Sequence, residues 1–395
     1  MNIEKMIERY HSELYKSVIP FWENHCVDHE NGGYFTSLDQ KGVVYDTMKY
    51  MWMQWRIVYT FATIGRLHNK TKWIDIASRG YDFLTRHGKS DDGSYYFALN
   101  RQGVPAMAPA SIYTDCFAAM GAAAMFAATG KSECKIEAEA SMRNYLRRIP
   151  DPKGRWNKAL SGMPQRKSFG HYMMLTNLGS VMRENLNPDE FDVDARETLN
   201  IVTSDFWNKE IGIFFENINP DGNFDLESCE GRTLNPGHAL ESLWFLLQLL
   251  EKELSDGEIV NICDYIYKTY QFGLDREYGG IYYFMDALGK PHIELQWDMK
   301  LWWVHCEALI AAVYAWNFTG EERFARMFKE LDDWTWSHFP DSENGEWFGY
   351  LNRRGEPTHT LKGGKWKTCY HLPRCLMECL KQLELIKAKK DAGKY

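Results

Sequence analysis

Four histidines stand at the predicted beginnings of helices, where an imidazole can exchange a proton with a bound molecule: His171, His238, His305 and His371. Glu241 follows His238 by three residues, a spacing that puts both side chains on one face of a helix. The same spacing separates His371 from Arg374. Histidine has an unperturbed pKa of about 6.5 and serves as acid or base near neutral pH. The pattern predicts acid–base chemistry by His238 and His371, whereas His171 fits a hydrogen-bonded core residue better.

Further polar side chains accompany these histidines on helices whose neighbouring residues are apolar. Charged groups on inward helix faces are costly unless they are paired or used. Arg56 lies in a tryptophan-rich run, which favours a guanidinium that clamps an anionic oxygen. His305 and Glu307 do not share a helix face, so one should support the other, and only one of Trp302 and Trp303 is expected to face a cavity. The predicted substrate-binding residues are Arg56, Glu241, His305, Glu307, Arg374 and Trp302.

The same residues could in principle serve other chemistries. A metal set of His238, Glu241, His305 and His371 lacks an HExxH motif or paired ExxH elements, so no metal is predicted. Cys369 cannot pair with His371 as nucleophile and base, because residues two apart on a helix diverge. A glycoside hydrolase needs two opposed carboxylates. The candidates for that role are Asp115, Glu241, Asp298 and Glu307.

A short glycine–aromatic element recurs about every 60 residues and sets the frame for these side chains. Clear copies are at 31–35, 92–97, 278–284 and 344–350, and weaker ones are at 152–156 and 211–215. A second glycine turn follows most copies, and aromatic runs between glycine turns are typical of small β-hairpins. A fixed period of this size predicts an array of supersecondary units.

The intervals between the hairpins carry apolar residues at helical spacing. Twelve helices are predicted, near 3–24, 48–68, 72–88, 110–129, 132–148, 167–185, 190–207, 235–254, 257–271, 298–318, 320–338 and 366–387. Six such units must stack to bury their apolar stripes, which predicts an all-α (α/α)6 barrel in a single domain spanning 1–395. The terminal units are no more polar than the others, which favours a closed barrel over an open solenoid.

Composition narrows the class of partner. The net charge of −8 argues against nucleic acid as the main partner, and no apolar run approaches the roughly 20 residues that span a bilayer. Nine cysteines without a framework spacing predict reduced thiols in a cytoplasm, and the first residues lack the apolar core of a signal peptide. Fifteen tryptophans and 22 tyrosines fit an aromatic-lined cavity or helix packing equally well.

Five long segments closely resemble the N-acylglucosamine 2-epimerase (renin-binding protein) family, and the resemblance covers nearly the whole chain. They are VYDTMKYMWMQWR at 44–56, NPGHALESLWF at 235–245, MKLWWVHCEA at 299–308, EWFGYL at 346–351 and LKGGKWKTCYHLPRCL at 361–376. Strings of this length are far more specific than a short motif. The family fold is the (α/α)6 barrel, which agrees with the repeat.

The resemblance implies an isomerase that interconverts N-acetylglucosamine and N-acetylmannosamine at C2, with His238 and His371 as the proton-transfer residues. It places Arg56, Glu241, Glu307 and Arg374 among the sugar-binding or supporting groups. No cofactor is consumed. Mammalian members need a nucleotide such as ATP as an activator, which is an expectation here, and the expected partner is a small amino sugar. An acidic helical barrel is also expected to form a homodimer.

Three alternatives remain open from the sequence. The first is a 2-epimerase of another sugar, such as cellobiose, or an aldose–ketose isomerase acting on mannose; Leu372-Pro373-Arg374 resembles the N-acyl enzymes more than the cellobiose enzymes. The second is the glycoside hydrolase. The third is a binding protein without catalysis, which would have no need of buried ionisable groups.

Overall fold

The helices of the chain divide into two kinds by the distribution of their apolar residues, and this division sets the architecture. The computed structural model describes residues 2–156, 158, 160, 162–163, 165–186 and 194–393. Its α-helical segments are α1 (Ile3–Ser12), α2 (Ile19–His25), α3 (Met51–Leu67), α4 (Thr71–His87), α5 (Tyr113–Thr129), α6 (Ser132–Arg148), α7 (Phe169–Asn185), α8 (Ala195–Asn200), α9 (Pro236–Leu249), α10 (Asp256–Gly273), α11 (Trp302–Thr319), α12 (Glu322–His338) and α13 (His371–Asp391).

Two π-helical stretches complete this count. Glu13–Val18 joins α1 and α2 into one long helix, and Ile201–Asp205 extends α8. The twelve predicted helices are therefore confirmed within the described residues, whereas the predicted start of the seventh helix at 190 lies outside them. None of these helices combines the length and the apolarity that crossing a bilayer requires.

The inner ring consists of α3, α5, α7, α9, α11 and α13, each packed against the next in that order. Helix α11 is buried at nearly every residue from Trp302 to Asn317, and a helix that is apolar all round must be enclosed by others. Helices α4 and α12 instead bury one stripe and expose the opposite face, as an outer layer should. The result is the predicted (α/α)6 barrel.

Thirteen short strands gather at the end of the barrel where the inner helices begin. They are β1 (Ser37–Leu38), β2 (Val44–Asp46), β3 (Lys49–Tyr50), β4 (Ala98–Leu99), β5 (Pro105–Met107), β6 (Lys167–Ser168), β7 (Trp207–Asn208), β8 (Ile213–Phe214), β9 (Asn217–Ile218), β10 (Thr233–Leu234), β11 (Met285–Asp286), β12 (Lys300–Leu301) and β13 (Tyr350–Leu351). The weak hairpin copy predicted at 152–156 differs, because it forms a 3₁₀ turn at Gly154–Trp156.

The strands link each unit to the next. The strand before an inner helix pairs antiparallel with the following hairpin, as β3 does with β4, β6 with β9, β10 with β11 and β12 with β13. The amides of Lys362 and Gly363 donate to the carbonyl of Leu38 in the first unit, at 2.9 and 3.2 Å. The last unit therefore joins the first.

The outer ring closes in the same way. The Tyr10 hydroxyl of α1 donates to Asp332 of α12 at 2.8 Å, and Arg9 forms an ion pair with the same carboxylate. In the inner ring, the Thr60 hydroxyl of α3 donates to the carbonyl of Cys369, just before α13, at 2.7 Å. These contacts between the ends of the chain favour a closed barrel over an open solenoid.

Three hairpins repeat one buried ion pair. In each hairpin an aspartate at the turn accepts backbone amides and forms an ion pair with a fully buried lysine. The pairs are Asp28–Lys49, Asp275–Lys300 and Asp341–Lys362. The lysine and arginine that contact Asp275 hold the pKa of its carboxyl well below its usual range, although burial acts in the opposite direction. The ionised pair ties each hairpin to the neighbouring unit.

Replacement of Asp275 by asparagine should lower the free energy of unfolding by about 3 kcal/mol, because the fully buried Lys300 would lose its counter-ion and would have to stay unpaired or give up its proton. Urea unfolding measures the change. Asp333→Asn, at an exposed ion pair with Lys329 on α12, is the control and should change stability little. Equal effects of the two substitutions would contradict the structural role given to Asp275.

Candidate active site

A cavity of about 580 Å³ opens among the beginnings of the inner helices. Its walls are mostly aromatic, with Trp52, Tyr113, Phe117, Tyr283, Trp302, Trp303, Tyr350, Trp366 and Tyr370. Its polar groups include Arg56, His238, Glu241, Gln296 and His371. Aromatic walls with a few converging polar groups are typical of a site for a small polar molecule that carries an apolar face.

His371 is the first residue of α13 and is held from behind by a buried carboxylate. Its Nδ1 lies 2.8 Å from Oε1 of Glu307, so a neutral imidazole donates that proton to Glu307 and leaves Nε2 as a base. Burial lowers the pKa of His371 well below its ordinary value, and the nearby guanidinium of Arg56 adds to the shift. The free site therefore contains His371 in its neutral form.

Glu307 is itself fixed by several donors. The indole N–H of Trp244 donates to its Oε2 at 2.9 Å, and Arg374 donates to its Oε1 at 2.7 Å. The same nitrogen of Arg374 donates to Glu241 at 2.5 Å. Neither Glu307 nor Arg374 lines the cavity, so both act beneath His371.

Possible ligand atoms of Glu241, Glu307 and His371 lie within 4.8 Å of one another, close enough to hold one metal ion. The guanidinium of Arg374 already bridges the two carboxylates as their shared cation. This arrangement suits an ion-paired support for His371 better than a metal site.

His238 stands in the first turn of α9, where Pro236 occupies the helix start and Asn235 caps it by accepting the amide of His238 at 3.1 Å. Its Nδ1 lies 2.8 Å from Glu216, and 30% of its side chain is exposed. Burial acts to lower the pKa of His238, but the charge and hydrogen bond of Glu216 outweigh it and raise the pKa above its ordinary value.

The pKa values of the two histidines are thus shifted in opposite directions although both line one cavity. Both rings contact Trp303, with ring centroids 5.2 Å apart for His238 and 5.8 Å for His371. The pKa of one imidazole is raised and that of the other is lowered. An acid and a base in the same cavity can give and take a proton on one bound molecule.

Arg56 reaches the cavity from α3 and is held by rings rather than by carboxylates. Its guanidinium lies 4.1 Å from the Phe117 ring centroid and 4.8 Å from those of Trp52 and Tyr370. Burial lowers its pKa to about 10, so it remains charged at neutral pH. Within the described parts of the chain it has no carboxylate partner, and such a buried cation favours an oxygen anion on the ligand.

His305 is not brought into this cavity, and the predicted sugar contact is corrected accordingly. The amide of Ile281 donates to its Nε2 at 3.0 Å, and its Nδ1 lies 2.8 Å from the carbonyl of Leu301. Gln54 and Asp115 accept hairpin amides in the same way from α3 and α5. His305 is therefore a repeat contact between a hairpin and an inner helix, and burial lowers its pKa to about 3.

The remaining sequence predictions divide between the cavity and its surroundings. Trp302 and Trp303 both line the cavity, contrary to the expectation that only one would, because they stand at the beginning of α11 where both rings reach the opening. His171 is absent from the lining. Burial raises the pKa of the Cys369 thiol well above its usual range, which agrees with its rejection as a nucleophile.

The carboxylates proposed for a glycoside hydrolase do not converge. Among the described residues that line the cavity, Glu241 is the one carboxylate. Asp115 lies outside it and pairs with Arg148 at 2.6 Å, while Asn144 donates to its other oxygen. Two opposed carboxylates across a sugar are therefore missing from this lining.

Glu216 is the functional candidate that the sequence did not reveal. It follows the aromatic pair Phe214-Phe215 in a hairpin and lies 22 residues before His238, so no local spacing connects the two. The available signal in the sequence was that Glu216 is the one acidic residue in the apolar hairpin segment 211–218.

The family model for N-acylglucosamine 2-epimerase matches residues 33–375. The N-acylglucosamine 2-epimerase of Bos taurus is 35% identical over 379 residues, covering 93% of this chain and 88% of that protein. The chain belongs to the N-acylglucosamine 2-epimerase family. The enzyme of Homo sapiens is 34% identical over 393 residues, covering 95% of this chain and 90% of that protein.

A solved structure supports the fold of this family member. The cellobiose 2-epimerase of Spirochaeta thermophila superposes with a TM-score of 0.83 at 19% identity, covering 98% of both chains. At that identity the likeness supports the (α/α)6 barrel alone.

Glu216→Gln should lower the pKa of His238, because the carboxylate is the charge that stabilises the imidazolium against burial. NMR titration of ¹³C-labelled histidine measures the shift directly. Glu210→Gln, an exposed glutamate on the same hairpin, is the matched control and should leave the titration unchanged. An unaltered His238 titration in Glu216→Gln would show that another group sets its protonation.

Proposed function

We propose that this protein interconverts N-acetylglucosamine and N-acetylmannosamine, with His238 and His371 as the acid–base pair at C2 of the open-chain sugar. The observation that carries the proposal is the pair of imidazoles with opposite pKa shifts on one aromatic cavity. The family membership and the 34–35% identity to the mammalian N-acylglucosamine 2-epimerases supply the reaction.

The chemistry follows from the acidity of the carbon next to the aldehyde. One imidazole removes the C2 proton, and the electron pair moves into a C1–C2 double bond with the negative charge on the C1 oxygen. The other imidazolium then returns a proton to the opposite face of C2, and the carbonyl forms again. One proton has moved from the second histidine to the first, and exchange with solvent resets the pair.

The two histidines exchange roles with the direction of the reaction. In the free site the lowered pKa of His371 favours it as the base, and the raised pKa of His238 favours it as the acid. Glu307 and Glu216 each bind Nδ1 of their histidine, which fixes Nε2 as the reacting nitrogen of both rings.

Arg56 is proposed to stabilise the oxygen anion of the intermediate. Its charge has no competing carboxylate among the described residues and is surrounded by aromatic rings, so little reorganisation is needed when negative charge develops. Glu241 is proposed to bind sugar hydroxyls, because it lines the cavity while it pairs with Arg374. Trp302 is proposed to form part of the sugar platform.

His238→Asn and His371→Asn should each reduce kcat by about 10²–10⁴-fold, because each removes one partner of the proton transfer. The assay is epimerisation of N-acetylmannosamine followed by sugar chromatography. Solvent deuterium should appear at C2 of the product made by the unaltered enzyme. A ketose product would instead identify an aldose–ketose isomerase, and full activity in both variants would refute the acid–base pair.

The family resemblance extends the proposal to regulation and assembly. We expect a nucleotide such as ATP to raise the rate without being consumed, a homodimeric enzyme and a cytoplasmic location. Assays with and without ATP, with the ATP concentration followed in parallel, test the first expectation. Sedimentation equilibrium tests the second.

A further inference from the structure

Each unit consists of a hairpin and the inner helix that follows it, so the first unit contains the hairpin at 31–35 and α3, the fifth contains that at 278–284 and α11, and the sixth contains that at 344–350 and α13. The sixth unit departs from the repeat at two positions that contact each other. In the first and fifth units, two consecutive glycines with positive φ end the hairpin turn: Gly32–Gly33 and Gly279–Gly280. The sixth unit has Gly345 followed by Glu346, whose φ is 57°. Among the described residues, Glu346 and Asn69 are the two non-glycine residues in this left-handed region, which side chains other than glycine disfavour.

The partner position changes with it. Gln54 and His305 lie five residues after the buried lysines Lys49 and Lys300, and each accepts a hairpin amide. A Cβ at Gly33 would lie 3.0 Å from the Gln54 side-chain oxygen, and one at Gly280 would lie 2.9 Å from the His305 ring. Those two units therefore cannot accommodate a side chain at the second glycine.

In the sixth unit, the residue five after the buried Lys362 is Lys367. Its ammonium forms an ion pair with Glu346, and both side chains are 1% exposed. Lys367 also donates to the carbonyl of Lys362 at 2.8 Å. A glycine and a neutral acceptor have thus been exchanged together for a buried carboxylate and a buried ammonium.

The same unit lacks the first two turns of its inner helix. Helices α3 and α11 begin two residues after Lys49 and Lys300, whereas α13 begins at His371, nine residues after Lys362. Segment 363–370 is irregular and contains Trp366 and Tyr370, which line the cavity. Its ends are held by the Leu38 carbonyl and the Thr60 hydroxyl, and its middle is held by Lys367.

The Lys367 side chain also touches the wall of the cavity. A Cβ at Gly349 would lie 2.7 Å from Cδ of Lys367 and 3.4 Å from the Trp302 ring, so the lysine stem and the indole both pack against Gly349. The ammonium lies 5.7 Å from the centroid of Trp302, whose ring is edge-on to His371 at 6.4 Å. The ion pair thus contacts the active site through Trp302 and through segment 363–370.

We propose that Glu346 and Lys367 are positioning residues for catalysis: their buried ion pair holds segment 363–370 in its unwound form and thereby sets the place of His371 and Trp302. The proposal rests on the proposed role of His371 in proton transfer. Neither residue lines the cavity, so the pair acts on the geometry of the base rather than on the sugar.

The test restores the pattern of the first unit with Glu346→Gly/Lys367→Gln. This double variant removes the left-handed glutamate and both buried charges, so its Tm should equal or exceed that of the unaltered enzyme. Its kcat should fall about 10–100-fold, as for a misplaced catalytic group, while KM changes less than about threefold. A double variant with unaltered Tm and unaltered kcat would overturn the proposal.

Two further variants keep the test decisive. Glu346→Gln retains a side chain of the same length, and it should lower kcat at unchanged KM even if the double variant folds poorly; unaltered kcat would again overturn the proposal. Asp28→Asn/Lys49→Met removes the equally buried pair of the first unit and should lower Tm with kcat within about threefold. If His371→Asn is inactive while the Glu346 and Lys367 variants are fully active, this inference fails and the proposed function stands.

Discussion

The closed ring of inner helices is the constraint on which the rest of the structure depends. Most of these helices are buried at most of their positions, so each must be surrounded by neighbours, and their first turns at the hairpin end border the cavity. The cavity at that end is lined by residues from all six inner helices. Groups far apart in sequence, such as Arg56, His238 and His371, are therefore presented to one small molecule by a frame built for burial.

Within this cavity, the surroundings of the two histidines shift their pKa values in opposite directions. Glu216 stabilises the charged form of the partly exposed His238, whereas burial, together with the guanidinium of Arg56, favours the neutral form of His371. The hydrogen bond from Nδ1 to a carboxylate is 2.8 Å long in both cases, so the difference comes from the burial of His371 and from the guanidinium groups of Arg56 and Arg374 near it. Two similar His–Glu pairs can thus supply one acid and one base.

The sequence predicted the repeat well, because glycine turns and helical spacing are local signals. Boundaries were less accurate where short strands take the first residues of a predicted helix: the helix predicted from 298 begins at Trp302, after β12. Among helix starts in the described residues, the largest displacement is that of α13, predicted from 366 and found from His371, because a buried ion pair formed with residue 346 keeps the segment unwound. No local pattern reports such a contact.

The candidate site was predictable where two partners share a helix and not where they meet across the barrel. Glu241 followed from the i, i+3 spacing with His238, although its ion pair is with Arg374 of another helix. Glu216 could not be found in this way because it lies on a hairpin and not on the helix that carries His238. His305 was overassigned because an inward histidine was read without its equivalent, Gln54, which makes the same contact with a hairpin amide.

One position of the repeat shows how an enzyme site is made from a structural contact. By the strand register, the residue five after the position of Lys49 is Gln54 in the first unit, His305 in the fifth, Lys367 in the sixth and Ala239, next to His238, in the fourth. Gln54 and His305 each accept a hairpin amide, so these side-chain atoms hold the hairpin to the inner helix and do not reach a ligand in the cavity. An alanine side chain cannot make this hydrogen bond, and the neighbouring His238 binds the Glu216 side chain and keeps its second nitrogen for the cavity. Because the ring is held by many such contacts, releasing one of them costs the fold little and gives the cavity an ionisable group at a fixed place.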